Sequence, residues 1–150
     1  MRRPELMEVA ATAAPPARRR PLRAVARAGH AWGALVLVRG VLAAAGLRGV
    51  ERLLAVQRGV RPIPPDRRRA VIAETRTALD RALRGQVTHV ACLQRAAACA
   101  VVLRRRGVPA DVVIGVRAQP FAAHAWVEVD GRVVDDLAAG TGPYTVIRRV

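Results

Sequence analysis

The sequence lacks lysine and has few acidic or aromatic residues. Its 26 basic residues are all arginine and stand against 11 acidic residues, so the formal net charge is +15. Such an excess is typical of nucleic-acid-binding proteins, but arginine without lysine, beside abundant alanine and valine, indicates the amino-acid usage of a GC-rich genome. Aromatic residues make up only 3% of the chain, so the stacking platforms of single-strand binders are missing. We therefore expect no nucleic-acid partner.

Cysteine and histidine are also scarce. Cys92 and Cys99 lie in one predicted helix, about 10 Å apart along its axis, which is too far for a disulfide. We predict two free thiols, a reducing compartment and therefore a cytoplasmic location. The three histidines are scattered and no Cys-x-x-Cys pair occurs, so no metal site is expected.

One apolar stretch, residues 31–47, resembles a membrane anchor at first sight. Arg39 interrupts it, and a central arginine costs about 2.5 to 3.5 kcal/mol on insertion scales. The uninterrupted pieces are shorter than the roughly 18 residues of a spanning helix. We predict no span, while peripheral contact with a membrane stays open.

The chain length is that of one domain, and 52% of the residues are apolar, enough for a sizeable core. Residues 1–21 are rich in Ala, Pro and Arg and are predicted to be a disordered basic tail. Residues 22–150 form one predicted domain, helical over 22–84 and with a catalytic helix and a sheet over 86–150.

Periodicity predicts the elements of this domain. The helical pattern over 22–60 is expected to be divided into two helices by Gly40, Gly46 and Gly49, and Asp66 is the expected N-cap of a helix that runs to about Leu83. A further helix is predicted from Cys92 to Arg106. Three short strands follow, over 111–116, 123–129 and 132–136. Helices followed by a small antiparallel sheet make this an α+β fold.

Cys92 is placed for nucleophilic chemistry. It stands at a predicted helix start, where unpaired backbone N–H groups and the helix dipole stabilise an anion such as a thiolate. Cys99 lies two turns further along, among alanines and valine, and is predicted to be a small buried residue.

His124 and Asp136 flank a predicted hairpin, and the length of its loop decides whether they meet. A two-residue loop, Asp130-Gly131, puts Asp136 on the face away from His124. A three-residue loop, Val129-Asp130-Gly131, puts them opposite each other. That register also pairs Glu128 with Arg132 and Trp126 with Val134, which favours the three-residue loop. A carboxylate beside an imidazole would orient it for proton transfer.

The sequence also contains a series of recognisable motifs: Cys92-Leu93-Gln94-Arg95-Ala96, the run from Leu103 to Ala110, Ile114-Gly115-Val116, the run from Pro120 to Glu128, and Gly131 to Asp136. In this combination and order they resemble the leader peptidases of lasso peptide biosynthesis, within the transglutaminase-like, papain-like cysteine proteases. The resemblance covers about residues 22–136.

This resemblance implies a fold, an activity and partners. It implies a Cys-His-Asp triad of Cys92 as nucleophile, His124 as general acid and base, and Asp136 as orienter, with Asp135 as a neighbour outside the triad. The substrate would be a lasso precursor peptide. The chain looks like a stand-alone protease half, which would work with a separate winged-helix-like leader-recognition protein and an ATP-dependent, asparagine-synthetase-like cyclase. The peptidase chemistry needs no cofactor.

Five further residues are candidates for the site. Gln86 resembles the oxyanion-hole glutamine of papain-type proteases in its placement. Phe121 and Trp126 are candidates for lining or shielding the site, and Arg95 and Arg132 for attracting an acidic leader peptide.

Two other functions stay open at this point. One keeps the triad but uses it for acyl transfer or amide hydrolysis on another substrate, because a fold does not fix a reaction. The other is a basic binding module without catalysis.

Overall fold

The computed structural model describes residues 19–84, 91–136 and 144–150. The predicted tail lies outside the described residues up to residue 18. Its last three residues, 19–21, belong to a helix. Gln86 also lies outside the described residues.

The first helix, α1, runs from Arg19 to Val56 and is broken at Gly46, whose φ of 58° and ψ of −152° are not helical. This confirms the predicted division at Gly46, a conformation that glycine adopts at no steric cost. Ala31, Leu35 and Val38 recur at helical spacing and are fully buried. A single 3-10 turn, Gln57–Gly59, ends the segment.

The second helix, α2, spans Pro65–Leu83. Its N-cap is Pro64 and its first residue is a proline, whose fixed φ and missing N–H suit that position. The prediction that Asp66 caps this helix is wrong, since Asp66 lies inside the first turn. Thr75 and Leu79 face the core.

The third helix, α3, spans Cys92–Arg105. Every residue from Arg95 to Val101 is buried, so this helix is the centre of the domain. The chain leaves the helix through Gly107, two residues after its last residue. There φ is +76°, and an added Cβ would lie 2.6 Å from the carbonyl oxygen of Arg61. Only glycine fits this helix C-terminus.

Four antiparallel strands follow, in the spatial order β3-β2-β1-β4. Three of them were predicted, and they span Asp111–Arg117 (β1), Ala122–Val129 (β2) and Arg132–Asp135 (β3). The fourth, β4, spans Thr145–Arg149 and pairs with β1. The sequence patterns did not predict β4. The architecture is α+β, as predicted.

The β2–β3 hairpin differs from the predicted register. Val129 pairs with Arg132, so the loop is the two-residue Asp130-Gly131. Both loop residues have positive φ, 51° and 73°, as in a type I′ turn. A bulge then shifts the register, so that Val127 pairs with Asp135. The predicted three-residue loop is therefore wrong, as are the pairs that it implied for Glu128 and Trp126.

The sheet has one face toward the helices and one away from them. Val112, Ala125, Val127 and Val129 on the inner face join the helices in one hydrophobic core. Because side chains alternate along a strand, His124, Trp126 and Glu128 lie on the other, outer face of β2. The outer face therefore carries His124 and Trp126, two of the residues singled out for chemistry.

Within the described residues, α1 is long and apolar enough, over Leu22–Val56, to cross a membrane by length and composition alone. The same helix supplies Leu35, Val38 and Leu54 to the core of the domain. Core helices of this kind satisfy the same length and hydropathy criterion.

Candidate active site

Cys92 is the first residue of α3, directly after the extended N-cap Ala91. The Ala91 carbonyl accepts the backbone N–H of Arg95 at 3.1 Å, which closes the first turn. The N–H groups before Arg95 have no partner within the helix, and they create positive potential at the Cys92 end. Cys92 is half-buried and free of any disulfide, as predicted.

His124 and Asp136 are in direct contact on the outer face of the sheet. Nε2 of the buried imidazole lies 2.5 Å from Oδ1 of Asp136. Because an ionised carboxylate only accepts hydrogen bonds, Nε2 carries the hydrogen and Nδ1 is the nitrogen that can take up a proton. The bulge beyond Val127 shifts Asp136 onto the face of His124, which explains how the pair meets although the predicted loop was wrong.

Two aromatic rings enclose the imidazole. The Trp126 ring stacks near His124 with centroids 6.0 Å apart, and the Tyr144 ring lies 5.4 Å away. Space for these rings comes from Gly115, where an added Cβ would lie 2.8 Å from Trp126 and 2.9 Å from Tyr144. Trp126 therefore lies beside the imidazole, and its role at the site stays a prediction. Tyr144 was missed, because only the pairing of β4 with β1 brings it there.

The outer face continues from Trp126 to Glu128 and Arg149. The Trp126 indole N–H donates to Oε1 of Glu128 at 2.8 Å, and Arg149 donates to Oε2 at 2.5 Å. Burial alone would raise the pKa of Glu128, but the hydrogen bonds from Arg149 and Trp126 outweigh burial and lower it. Glu128 therefore anchors the indole as a carboxylate.

Arg95, predicted to contact substrate, is instead buried on the helix side of the sheet. Its Nε and Nη2 donate to the two carboxylate oxygens of Asp135 at 3.0 and 2.8 Å, and Nη2 also reaches Asp80 at 2.9 Å. Burial alone would lower the pKa of Arg95, yet Asp135 and Asp80 raise it above its ordinary range. The guanidinium is thus a permanent charge neutralised inside the protein.

This ion pair locates Cys92 relative to His124. Arg95 lies one turn after Cys92, or about 4.5 Å along the axis, and Asp135 precedes the Asp136 that binds His124. At the opposite end of α3, Arg104 donates to the carbonyl of Ala110 at 2.7 Å, next to the start of β1. The Cys92 end of α3 therefore lies toward the same end of the sheet as His124.

Cys99 is the contrasting thiol. It is fully buried, and burial together with the nearby carboxylate of Asp135 raises the pKa of its thiol well above the ordinary range. A neutral, inaccessible thiol agrees with the predicted structural role.

The remaining candidates differ in position. Phe121 is exposed in the loop between β1 and β2, three residues before His124 and at the same end of the sheet. Arg132 pairs with Val129, five residues from His124 and thus about 17 Å away along the strand. Arg132 does not lie beside the imidazole, because β3 runs antiparallel to β2. Gln86 lies outside the described residues.

In the part of the chain that the structure describes, no three His, Cys, Asp or Glu side chains are grouped as a metal site would require. The groups that are brought together are an imidazole, a carboxylate and aromatic rings. They can hold and transfer a proton at the end of the sheet where α3 begins.

The model of the transglutaminase-like superfamily matches residues 34–149, and the chain belongs to this superfamily. The chain is also similar to the Microcin J25-processing protein McjB of Escherichia coli, with 49% identity over 59 residues. This match covers 39% of the chain and 28% of McjB. A comparison with solved structures finds no match.

Proposed function

We propose that this protein is a cysteine peptidase that removes the leader from a ribosomally made lasso precursor peptide. The observation that carries the proposal is the 2.5 Å contact between His124 and Asp136, and Cys92 at the start of α3 is the thiol that we assign to it. A thiol, an imidazole and a carboxylate in this order are the groups that nucleophilic acyl transfer needs.

The similarity to McjB supports the choice of substrate. McjB is named as a protein that processes microcin J25, and the motifs around Cys92 and His124 resemble lasso leader peptidases. Since the match spans about a quarter of McjB, the precursor and the partners of this chain belong to the proposal. We infer a separate winged-helix-like recognition protein for the leader and an ATP-dependent, asparagine-synthetase-like cyclase that uses the freed amine.

The proposed reaction has two stages. The Cys92 thiolate attacks the carbonyl carbon of the last leader residue, and the backbone N–H of Cys92 stabilises the oxyanion. His124 then protonates the departing core amine, which leaves a thioester between Cys92 and the leader. Water, deprotonated by His124, hydrolyses this thioester and regenerates the thiol. Asp136 keeps Nε2 of His124 protonated, so that Nδ1 performs each proton transfer.

A labelling experiment tests the nucleophile without a substrate. Iodoacetamide alkylates thiolates, so we expect fast modification of Cys92 and none of the fully buried Cys99 in the folded protein. Peptide mass spectrometry distinguishes the two. In His124→Ala, Cys92 labelling should slow by about tenfold or more, since the base is lost. Equal labelling of both thiols would contradict the assignment of Cys92.

A cleavage experiment tests the reaction. The protein is incubated with its recognition partner and a candidate precursor from a neighbouring reading frame, and products are identified by mass. Cleavage should vanish in Cys92→Ala and persist in the matched variant Cys99→Ala. Undiminished cleavage by Cys92→Ala would refute the proposal.

The superfamily also favours one alternative, acyl transfer to an amine, because the same thioester can react with either acceptor. Adding a primary amine to the cleavage reaction separates the two. A leader carrying a free carboxylate indicates hydrolysis, and a leader amide indicates acyl transfer.

A further inference from the structure

One face of α1 is apolar over its first six turns, and no other part of the described chain covers it. Leu22, Val25 and Trp32 on this face are 73%, 70% and 54% exposed, and Val36 and Leu37 are exposed as well. We call the following residues, which share this side of the helix, the outer α1 face: Leu22, Val25, Gly29, Trp32, Gly33, Val36, Leu37 and Gly40. None of them has a polar side chain.

The glycines make this face open and smooth. A Cβ added at Gly29, Gly33 or Gly40 would meet nothing within 4 Å. Packing against the described residues therefore does not explain why these positions are glycine. A continuous exposed apolar surface of this length is unusual on a soluble monomer and indicates a binding surface.

The contacts on the opposite side of α1 keep the helix packed on the domain. Leu35 and Val38 are fully buried in the core, and Gln94 of α3 donates to the Leu35 carbonyl at 3.1 Å. Arg27 is also tied to Glu74 of α2 at 3.1 Å. Because these contacts hold α1 on the domain, it can lie on a surface but cannot enter a bilayer lengthwise without dismantling the core.

The edges of the outer α1 face are positively charged. Arg23 and Arg39 are exposed at its two sides, and Arg105 of α3 lines a shallow hollow with Gly29, Gly33 and Leu37. No aspartate or glutamate occurs in the sequence between Glu8 and Glu51. An apolar stripe with a tryptophan and flanking arginines fits an interface that is apolar inside and anionic outside.

We propose that the outer α1 face seats the protein on the surface of an anionic lipid bilayer, with α1 in the plane of the interface and Trp32 among the headgroups. A second copy of this chain fits less well, since a net charge of +15 on each copy opposes association.

Vesicle flotation with the full chain tests this proposal. We expect the protein to float with phosphatidylglycerol vesicles, and about tenfold less with phosphatidylcholine vesicles or at high salt. The Trp32 emission should shift to the blue and be quenched by lipids brominated in their acyl chains. Trp32→Phe, which keeps only the buried Trp126, should lose both signals.

Two matched charge variants locate the surface. Val36→Glu on the outer α1 face should lower binding to phosphatidylglycerol vesicles by about tenfold, while Val133→Glu, an equally exposed position on β3, should leave binding nearly unchanged. Circular dichroism confirms that both variants are folded. Cys92→Ala should bind like the unmodified chain, so this test does not depend on the peptidase proposal.

Three outcomes would overturn the proposal. The folded protein could fail to float with anionic vesicles. Val133→Glu could reduce binding as much as Val36→Glu, which would indicate attraction by total charge alone. Light scattering could show a dimer that Val36→Glu dissociates, without lipid binding, which would assign the face to a second copy.

Discussion

Asp135 and Asp136 are adjacent in the chain, but their side chains lie on opposite faces of the sheet and in different surroundings. Asp135 is 3% exposed and accepts two hydrogen bonds from the buried Arg95. Asp136 is partly exposed and contacts the imidazole of His124, a group that can accept a proton. The permanent charge of Arg95 gives the Asp135 carboxylate a structural role. The imidazole partner of Asp136 can gain and lose a proton, so the Asp136 carboxylate can support proton transfer.

The largest expected effect is on the outer face. Asp136→Asn removes the carboxylate that accepts the hydrogen bond from His124 Nε2–H. The imidazole can then carry its hydrogen on the wrong nitrogen, Nδ1. By comparison with other nucleophile triads, we expect a loss of about 10³-fold in kcat/KM on a precursor peptide, and slower alkylation of Cys92. Because Asp136 is partly solvated, the free energy of unfolding should change by only about 1 kcal/mol or less.

The second largest effect is expected on the inner face, where the substitution should lower stability more than activity. Asp135→Asn leaves the charge of Arg95 buried, with the half-exposed Asp80 as its remaining anionic partner among the described residues. Removing one member of a buried pair costs about 3 to 5 kcal/mol, which for a chain of this size lowers Tm by about 10 °C or more. Thermal and urea denaturation measure this loss.

A control separates stability from catalysis at Asp135. Below Tm, the turnover of folded Asp135→Asn should stay within about tenfold of the unmodified protein, since His124 and Asp136 are retained. The double variant Arg95→Met/Asp135→Leu removes both charges and should recover much of the stability. If Asp135→Asn were stable and inactive while Asp136→Asn remained active, the roles of the two carboxylates would have to be exchanged.

The site and the fold could be predicted from sequence to different degrees. Cys92 was identifiable because a helix start after a short apolar run is a local pattern, and the first three strands follow β-branched runs. The hairpin register was mispredicted, because cross-strand pairs such as Glu128 with Arg132 contribute less to it than Asp130-Gly131, a strong signal for a two-residue turn. The bulge that brings Asp136 to His124 leaves no local signal.

Long-range contacts account for the features that were missed. An arginine on a helix usually lies on its solvated side. The burial of Arg95 becomes favourable because Asp135, 40 residues later in the sequence, accepts its hydrogen bonds. Tyr144 reaches His124 through β4, a strand of five exposed residues without the alternation that marks a half-buried strand. The exposed side of α1 could not be predicted, because the composition of an apolar helix does not show which of its sides a domain covers.

The smallest expected effect concerns the anchor of Trp126 on the outer face. Because hydrogen bonds from Arg149 and Trp126 lower the pKa of Glu128 below its unfolded value, this carboxylate stabilises the fold above the unfolded pKa, and the contribution disappears as the pH falls through the folded pKa. Glu128→Gln keeps the shape but removes the charge. At neutral pH it should be less stable by about 0.5 to 1 kcal/mol, since Arg149 is half-exposed.

The pH dependence of that difference is the sharper measurement. Urea denaturation of both proteins should show the gap at pH 7 and its gradual closure in acid, as the pH falls from the unfolded pKa of a glutamate, about 4.3, through the lowered folded pKa of Glu128. A gap that stays constant with pH would mean that the charge of Glu128 is not what stabilises the protein. Because Glu128 contacts the Trp126 indole that stacks near His124, a gap that closes in acid would show that the charge on Glu128 helps to hold the aromatic enclosure of the site.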